Sequence, residues 1–108
     1  LLAGGHDRGR DFEELARRIV ARGVATLILF PTTGERLWQA VQRAAGERPP
    51  PRAFFTADME EAVALAFAHT PAGGVCLHSP AAASFGLFRD YRARGEAFKA
   101  SVRRRAEA

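Results

Sequence analysis

A run of small residues late in the chain is the strongest candidate for a ligand site. Ser79 and Pro80 are followed by three alanines and Ser84, so a ligand could lie directly on backbone N–H groups there. Ser84 is a residue type that commonly caps the start of a helix. The first turn of a helix carries free N–H donors and a partial positive charge, which attract carboxylates and phosphates. The run therefore predicts an anion cradle, and a helix-capping serine with no ligand is the structural alternative.

A glycine-rich loop at the other end of the chain offers a second set of polar groups. Its sequence, Gly4-Gly5-His6-Asp7-Arg8-Gly9, lacks the G-x-G-x-x-G spacing of a dinucleotide-binding loop. Its glycines nevertheless permit close approach of a ligand to the backbone. Asp7 and Arg8 supply an acceptor and a cation, so the loop is either a polar binding site or a tight structural turn.

A third candidate loop lies between an apolar run and a helical pattern. Thr32 and Thr33 follow the apolar run, and Arg36 stands one turn further on. Two hydroxyl groups and one cation could hold a carboxylate. Thr32 with Glu35 also fits a capping box, which would give the loop a purely structural role. The sequence leaves both interpretations open.

Composition argues against several other kinds of site. The single cysteine, Cys76, cannot form an internal disulfide, and its apolar neighbours predict an inert core residue. The three histidines are scattered, without partners at metal-ligand spacing. No apolar run approaches the ~20 residues that cross a bilayer. The net charge is +4, but aromatic residues do not alternate with the basic ones as stacking on nucleic acid requires. We therefore expect no metal, membrane or nucleic-acid partner.

The two end segments also carry a family resemblance. The run from Ser79 to Phe98 fits the pattern S-P-A-x-A-S-[FL]-x-x-F-x-x-[FY]-x-x-R-G-x-x-F. It resembles the C-terminal domain of the bacterial peptidoglycan (Mur) ligases that add glutamate to UDP-N-acetylmuramoyl-L-alanine. The opening, from Gly4 to Phe12, is similar to that family's G-G-x-D-K-G-x-D-F. The order of elements agrees with the family over nearly all 108 residues.

The resemblance implies that residues 1–108 form one domain of a larger cytoplasmic enzyme. This C-terminal, amino-acid-binding domain would work with N-terminal and central ATPase domains that lie outside the chain. The opening Leu1-Leu2-Ala3, which resembles a buried strand cut at its start, agrees with that expectation. The partners would be glutamate, UDP-N-acetylmuramoyl-L-alanine and the rest of the polypeptide.

The implied reaction is an amide synthesis that depends on ATP and Mg²⁺. The L-alanine carboxylate takes the γ-phosphate and becomes an acyl phosphate, which the glutamate amine attacks. Residues of this chain would orient the incoming amino acid rather than react covalently. Neither a G-x-x-x-x-G-K-[ST] motif nor a magnesium-ligand cluster occurs here. ATP and Mg²⁺ would therefore be bound mainly by the central domain, and the isolated chain would be inactive.

The resemblance also implies roles for particular residues. Ser84 and Phe85 match the helix start that holds the side-chain carboxylate of glutamate, and Tyr91 matches an aromatic residue that closes the pocket. Asp7 matches an aspartate near the nucleotide ribose, and Arg8 stands where lysine is more usual, near phosphates. The match is looser for the other candidate contacts to glutamate, which are Thr32, Thr33 and Arg36.

Two departures from the family pattern leave the amino-acid substrate open. Ala82 stands where cysteine is common, and Gly86 stands where aspartate is common. The main interpretation is addition of D-glutamate, and the nearest alternative is a sister ligase that adds L-glutamate to the same acceptor. A stand-alone Rossmann-like module that binds a small anion or RNA is the alternative from another class.

Alternating strands and helices must position these loops. Apolar runs predict strands at 1–3, 25–30, 52–56 and 75–79, and 3.6-residue periodicity predicts helices at 11–22, at 32–45, from 58 and from 84, the last with a break near Gly95. Asp11, Thr32 and Asp58, each followed three residues later by glutamate, predict helix starts. The fold class is α/β, a Rossmann-like, doubly wound and mostly parallel sheet with helices on both faces. Its four strands would bring the three candidate loops to one edge, at their carboxyl ends.

Overall fold

The computed structural model describes residues 1–5, 11–79 and 88–107. Within these ranges, strands and helices alternate as far as the third helix, and a fourth helix follows. In chain order they are β1 (Leu2–Gly4), α1 (Glu13–Ala21), β2 (Thr26–Phe30), α2 (Gly34–Ala45), β3 (Arg52–Phe55), α3 (Met59–His69) and α4 (Tyr91–Glu107). The predicted elements before residue 70 are confirmed, with starts within two residues of the predicted ones.

The three strands form one parallel sheet in the order β1-β2-β3. Leu2 lies opposite Ile28, which in turn lies opposite Phe54. Parallel neighbours need crossover connections, and α1 and α2 supply them. The expected α/β arrangement with a parallel sheet is thus confirmed.

The predicted fourth strand at 75–79 is wrong. In its place, a single parallel bridge joins His78 to Leu2. The Leu2 N–H donates to the Leu77 carbonyl at 2.9 Å, and the Ser79 N–H donates to the Leu2 carbonyl at 3.1 Å. Residues 77–79 therefore lie along the edge of β1 opposite β2, but too few of them pair to make a strand.

The expected burial around Cys76 is also wrong. Val75 keeps 87% of its surface exposed and Leu77 keeps 57%, and Cys76 between them is exposed. An apolar triplet is buried only where other elements cover it, and of residues 75–79 only His78 is even half-covered. The triplet therefore lies outside the core.

Helices cover both faces of the sheet, as predicted for a doubly wound fold. Leu27 and Leu29 of β2 join a buried cluster with residues of α1 and α2. Ile28 and Phe30, which alternate with them, join a second cluster with residues of α3 and α4. Since successive side chains of a strand point to opposite faces, β2 is buried on both. This arrangement makes β2 the centre of the fold.

Aspartates begin two of the helices. Asp58 caps α3 as predicted, since its carboxylate accepts a hydrogen bond of 3.1 Å from the Glu60 N–H. Asp11 accepts a bond of 2.9 Å from the Glu13 N–H ahead of α1. The capping box expected there is incomplete, because Glu14 pairs with two arginines of its own helix.

Two predicted details of the helices are wrong. The capping box at Thr32 is not formed, because Thr33 and not Thr32 is the N-cap of α2, and Thr33 makes no capping bond. The α4 helix is continuous through Gly95. Phe98 packs against the second core cluster, and such anchoring outweighs the roughly 1 kcal/mol by which one glycine disfavours a helix.

Two glycines allow the elements around β2 to pack closely. A Cβ atom on Gly4 would lie 2.4 Å from the Phe30 carbonyl oxygen, and one on Gly34 would lie 2.9 Å from the Leu29 Cβ. Gly4 also has a φ angle of 101°, which disfavours any residue with a side chain. The end of β1 and the start of α2 thus approach β2 closely, at the carboxyl edge of the sheet.

Candidate functional site

Parallel pairing places the carboxyl ends of the strands at one edge of the sheet. In doubly wound sheets, ligands bind at that edge, where the strand order reverses. Here β1 lies between β2 and residues 77–79, so the reversal falls between β1 and that segment. Gly5 follows β1, and Ser79 ends the segment. Each leads into one of the loops that the sequence predicts to bind a ligand.

Three hydrogen bonds tie the loop after β1 to the start of α2. The Gly5 N–H donates to the Thr33 hydroxyl oxygen at 3.0 Å. The Gly5 carbonyl accepts from the N–H groups of Thr32, at 2.7 Å, and Thr33, at 3.0 Å. Thr33 keeps only 2% of its surface exposed. Its hydroxyl therefore positions the Gly5 loop, and a direct contact between Thr33 and glutamate stays a prediction.

Thr32 is exposed and lines a cavity of about 320 Å³ near the ends of β2 and β3. Glu35 also lines this cavity. Its carboxylate lies in the first turn of α2, where the partial positive charge of the helix favours it. An anion in this cavity would meet that carboxylate. The geometry thus favours anion binding further along the edge, towards Gly5 and Ser79.

Arg36 is held at the same edge by an aromatic ring. Its guanidinium carbon lies 5.0 Å from the centre of the Phe12 ring, at cation–π distance. Phe12 is buried at the start of α1, where the connection from Gly5 ends. The contact holds a permanent positive charge at the start of α1, and a cation is what a carboxylate site requires. The ligand contact of Arg36 itself stays a prediction.

Tyr91 begins α4 and keeps 66% of its surface exposed. Its hydroxyl oxygen accepts from the Arg92 Nε at 3.3 Å, and the Arg92 guanidinium lies 5.8 Å from the ring centre. Asp90 caps the helix by accepting a hydrogen bond of 2.8 Å from the Ala93 N–H. The ring is therefore accessible to a ligand at the N-terminal end of α4.

Four predicted site residues lie outside the described ranges: Asp7, Arg8, Ser84 and Phe85. Their contacts to nucleotide and glutamate stay predictions. The nearest described residues ahead of the two pairs are Gly5 and Ser79. Gly5 follows β1, and Ser79 ends the segment that is hydrogen-bonded to β1, so the two residues lie on either side of the point where the strand order reverses.

His78 is a residue that sequence reasoning missed. Its ring lies against Phe98 of α4, with centroids 4.7 Å apart. Its Nε2 atom is buried and has no hydrogen-bond partner among the described residues. Burial lowers the pKa of His78 below its usual range, and the Arg94 guanidinium lowers it further. The available signal was a polar residue inside an apolar run, one position before Ser79.

None of the helices in the described ranges combines the length and the apolar character needed to cross a membrane. Within residues 1–5, 11–79 and 88–107, no three His, Cys, Asp or Glu side chains are grouped to bind a metal ion. The described part of the carboxyl edge therefore offers a ligand polar groups and a cation fixed on an aromatic ring.

Comparison with known proteins extends these observations. No family model matches the chain. The chain is 44% identical over 102 residues to the UDP-N-acetylmuramoylalanine--D-glutamate ligase of Symbiobacterium thermophilum. It is 42% identical over 103 residues to the UDP-N-acetylmuramoyl-L-alanine--L-glutamate ligase of Salinispora tropica. It is also 42% identical over 98 residues to the UDP-N-acetylmuramoylalanine--D-glutamate ligase of Lactiplantibacillus plantarum.

These alignments include nearly the whole chain but only part of each relative. They cover 91–95% of the chain and 20–22% of the relatives. The chain thus spans about a fifth of the length of the curated relatives that it matches. Identity at this level over so much of the chain confirms the resemblance to the Mur ligase family seen in its two end segments, and the relatives that carry it are named as ligases of glutamate and UDP-N-acetylmuramoyl-alanine.

Proposed function

We propose that the chain is the C-terminal, amino-acid-binding domain of an ATP-dependent ligase that adds D-glutamate to UDP-N-acetylmuramoyl-L-alanine. The observation that carries the proposal is the 44% identity, over 94% of the chain, to a relative named for D-glutamate addition. The enzyme would work in the cytoplasm, in peptidoglycan precursor synthesis. Its partners would be the two substrates and the rest of its own polypeptide.

The geometry of the carboxyl edge supports amino-acid binding by this chain. Glutamate carries two carboxylates, so a site for it needs cations or N–H donors. Arg36, fixed over Phe12, supplies a cation near the loop that begins at Gly5. Tyr91 presents an accessible ring at the start of α4. The helix start at Ser84 is proposed to hold the side-chain carboxylate, with Phe85 beside it.

The contribution of this chain to the reaction is proposed to be positional. Holding the glutamate amine beside an activated carboxylate replaces a random encounter by a step within one complex, which lowers the barrier through preset orientation. ATP is the substrate that supplies the activating phosphoryl group, and Asp7 and Arg8 are proposed to lie near it. No side chain of this domain forms a covalent bond to substrate in this scheme.

Mg²⁺ does not fit the residues that the structure describes. The ion is bound in phosphate-transfer sites through one or two carboxylates together with the phosphates, and the described residues hold no cluster of potential metal ligands. The proposal leaves the ion to the part of the polypeptide outside this chain, and no step assigned to this chain passes through it. The 108-residue chain by itself is expected to hydrolyse no ATP.

The enantiomer of glutamate is the finer question. Relatives named for D-glutamate and for L-glutamate are 44% and 42% identical to the chain, which does not separate the two reactions. D-glutamate is proposed first because relatives with that name come from several different bacteria. Addition of L-glutamate is the second candidate, favoured by the relatives from Salinispora and Micromonospora.

The test is phosphate release by the full-length polypeptide with ATP, Mg²⁺ and UDP-N-acetylmuramoyl-L-alanine. D-glutamate and L-glutamate are supplied in parallel. D-aspartate is the control that shows whether the enzyme also accepts other acidic amino acids. Release that depends on D-glutamate supports the proposal, and dependence on L-glutamate replaces it by the sister reaction. No release with either, from a folded protein, overturns the ligase function and leaves a binding module, which a salt-dependent RNA titration would test.

A further inference from the structure

His78 is the side chain that anchors the segment ahead of the proposed glutamate loop. Within residues 75–79, His78 is half-buried and the remaining four residues are exposed. The His78 ring lies 4.7 Å from the Phe98 ring, centroid to centroid, with 32° between the two planes. Phe98 in turn packs against the core cluster beneath α3 and α4. The His78 ring thus attaches the segment to α4.

Backbone bonds fix the same residue against the sheet. The Leu2 N–H donates to the Leu77 carbonyl at 2.9 Å, and the Leu2 carbonyl accepts from the Ser79 N–H at 3.1 Å. The next residues along the chain are Ser79 and the small-residue run to Ser84. Phe98 lies beyond that run, on the helix that Tyr91 begins. The contact between His78 and Phe98 therefore joins the two ends of the sequence that carries three of the proposed glutamate contacts.

The surroundings of His78 suit a neutral ring and not a charged one. Its Nε2 is buried without a hydrogen-bond partner among the described residues. A second proton would place a charged N–H donor where those residues offer no acceptor, and leaving a buried charged donor unpaired is strongly unfavourable. Protonation of the ring would therefore work against its docking on Phe98.

The ionisable groups around His78 add to this effect. Arg94, on the same helix as Phe98, disfavours a second positive charge by repulsion. Burial of the ring acts in the same direction, and no negative charge among the described residues offsets the two effects. Glu96 and Lys99 of α4 pair with each other at the surface. Lowering the pH should therefore weaken the contact between His78 and Phe98, which we call the anchor of residues 77–79.

We propose that His78 is a positioning residue of the glutamate site, which in its neutral form holds residues 77–79 against β1 and α4 and on protonation releases them, weakening glutamate binding. That the ligand is glutamate rests on the proposed function. The anchoring itself rests only on the contacts of His78 with Leu2 and Phe98. The two parts can therefore be tested separately.

The anchor is tested by hydrogen exchange in the full-length polypeptide without ligand. The reporters are the amide protons of Leu2 and Ser79, which bond across the bridge. After correction for intrinsic exchange, their protection should fall at least about threefold between about pH 8 and about pH 5.5, the range in which histidine gains its charge. His78→Leu, which cannot take up a proton, should remove this pH dependence. His78→Phe is a second variant that keeps a ring against Phe98.

A matched control comes from another stacked histidine. His69 lies 4.5 Å from the Phe54 ring, on the side of the sheet formed by β3 and α3. His69→Gln should leave the pH dependence of Leu2 and Ser79 protection unchanged. Equal protection at both pH values in the unmodified protein, or the same response in the His69 and His78 variants, would overturn the anchor.

The link to glutamate is tested by the KM for glutamate at the same two pH values. In the unmodified ligase, the ratio of KM at about pH 5.5 to KM at about pH 8 should exceed that of His78→Leu or His78→Phe by about threefold or more. Each ratio is taken within one protein, so a change in activity that is common to both pH values does not enter the comparison. A pH-dependent anchor with identical KM ratios in all proteins would overturn the positioning role. Absence of any ligase activity would instead count against the proposed function and leave the exchange result to decide the anchor.

Discussion

The hydroxyl oxygen of Thr33 accepts a buried hydrogen bond of 3.0 Å from the N–H of Gly5, which lies 28 residues earlier in the chain. The bond connects the ends of two neighbouring strands through one side chain. It accounts for the burial of a polar residue at the first turn of α2. The same oxygen makes no capping bond to the first turn of α2.

Replacing Thr33 by valine should destabilise the chain. The shape is kept, but the Gly5 N–H loses its acceptor, and a buried unsatisfied donor costs about 1–3 kcal/mol. Urea unfolding of the 108-residue chain measures the difference, with Thr33→Ser expected to retain most of the stability. Thr32→Val is the matched control, because Thr32 is exposed, and it should change the free energy of unfolding by less than about 0.5 kcal/mol. Equal losses in the two valine variants would contradict the role given to the hydroxyl.

Alanine at two helical glycines should change stability in opposite directions. A Cβ on Gly34 would lie 2.9 Å from the Leu29 Cβ, whereas one on Gly95 would meet no atom within 4 Å. Overpacking makes Gly34→Ala destabilising by about 1–3 kcal/mol. Gly95→Ala should be stabilising by up to about 1 kcal/mol, because alanine favours a helix interior over glycine. Thermal unfolding compares the two variants directly, and a stabilising Gly34→Ala would show that α2 does not approach β2 as closely as described.

Removing the charge of Arg36 should weaken glutamate binding in the full-length ligase. If Arg36 contacts a carboxylate, Arg36→Gln removes a charge-assisted hydrogen bond of about 1.5–3 kcal/mol, which raises the KM for glutamate about ten- to a hundredfold. Arg43→Gln is the control, since Arg43 lies near the other end of α2 and pairs with Glu13. It should leave the KM unchanged. An unchanged KM in Arg36→Gln would limit that residue to its contact with Phe12.

The stability of the chain should fall as the pH drops below the ordinary histidine range. Burial and Arg94 lower the pKa of His78, so the folded state takes up the proton at lower pH than the unfolded state does. The free energy of unfolding therefore begins to fall near about pH 6.5 and stops falling once the folded His78 is protonated. Unfolding measured from about pH 8 to about pH 5 should show a smaller decrease in His78→Leu. The exposed, arginine-paired Glu14 adds a loss of the same sign, but in the more acidic range of carboxylates.

Residues whose burial follows from local pattern were predicted well. The continuous apolar run of β2 predicted a strand covered on both faces, and its alternate residues join the two core clusters. Asp58, which is followed three residues later by Glu61 and precedes the apolar stripe of α3, predicted the start of that helix. Such features need only short-range information, because hydrophobic periodicity and capping act within one element.

Predictions that depended on distant neighbours were less successful. Val75 and Leu77 have the composition of a buried strand, but burial is decided by what covers them, and the described elements leave both exposed. Thr32 was predicted to cap α2, but Thr33 is the N-cap, and its hydroxyl oxygen instead accepts from the Gly5 N–H that follows β1. At the candidate site, the reach of Arg36 to Phe12 and the docking of His78 on Phe98 likewise join residues far apart in sequence. No local pattern specifies such pairs.

Residues 77–79 are hydrogen-bonded to β1 along one side, and two exposed apolar residues lie here, Val75 just ahead of the segment and Leu77 within it. The rim of a sheet in this condition is a template on which another extended chain can pair, and most proteins cover it or place charges along it. The 108-residue chain should therefore be prone to self-association that increases with protein concentration. Self-association through this rim would compete with the monomer, and any segment that covers it would raise the solubility of the domain.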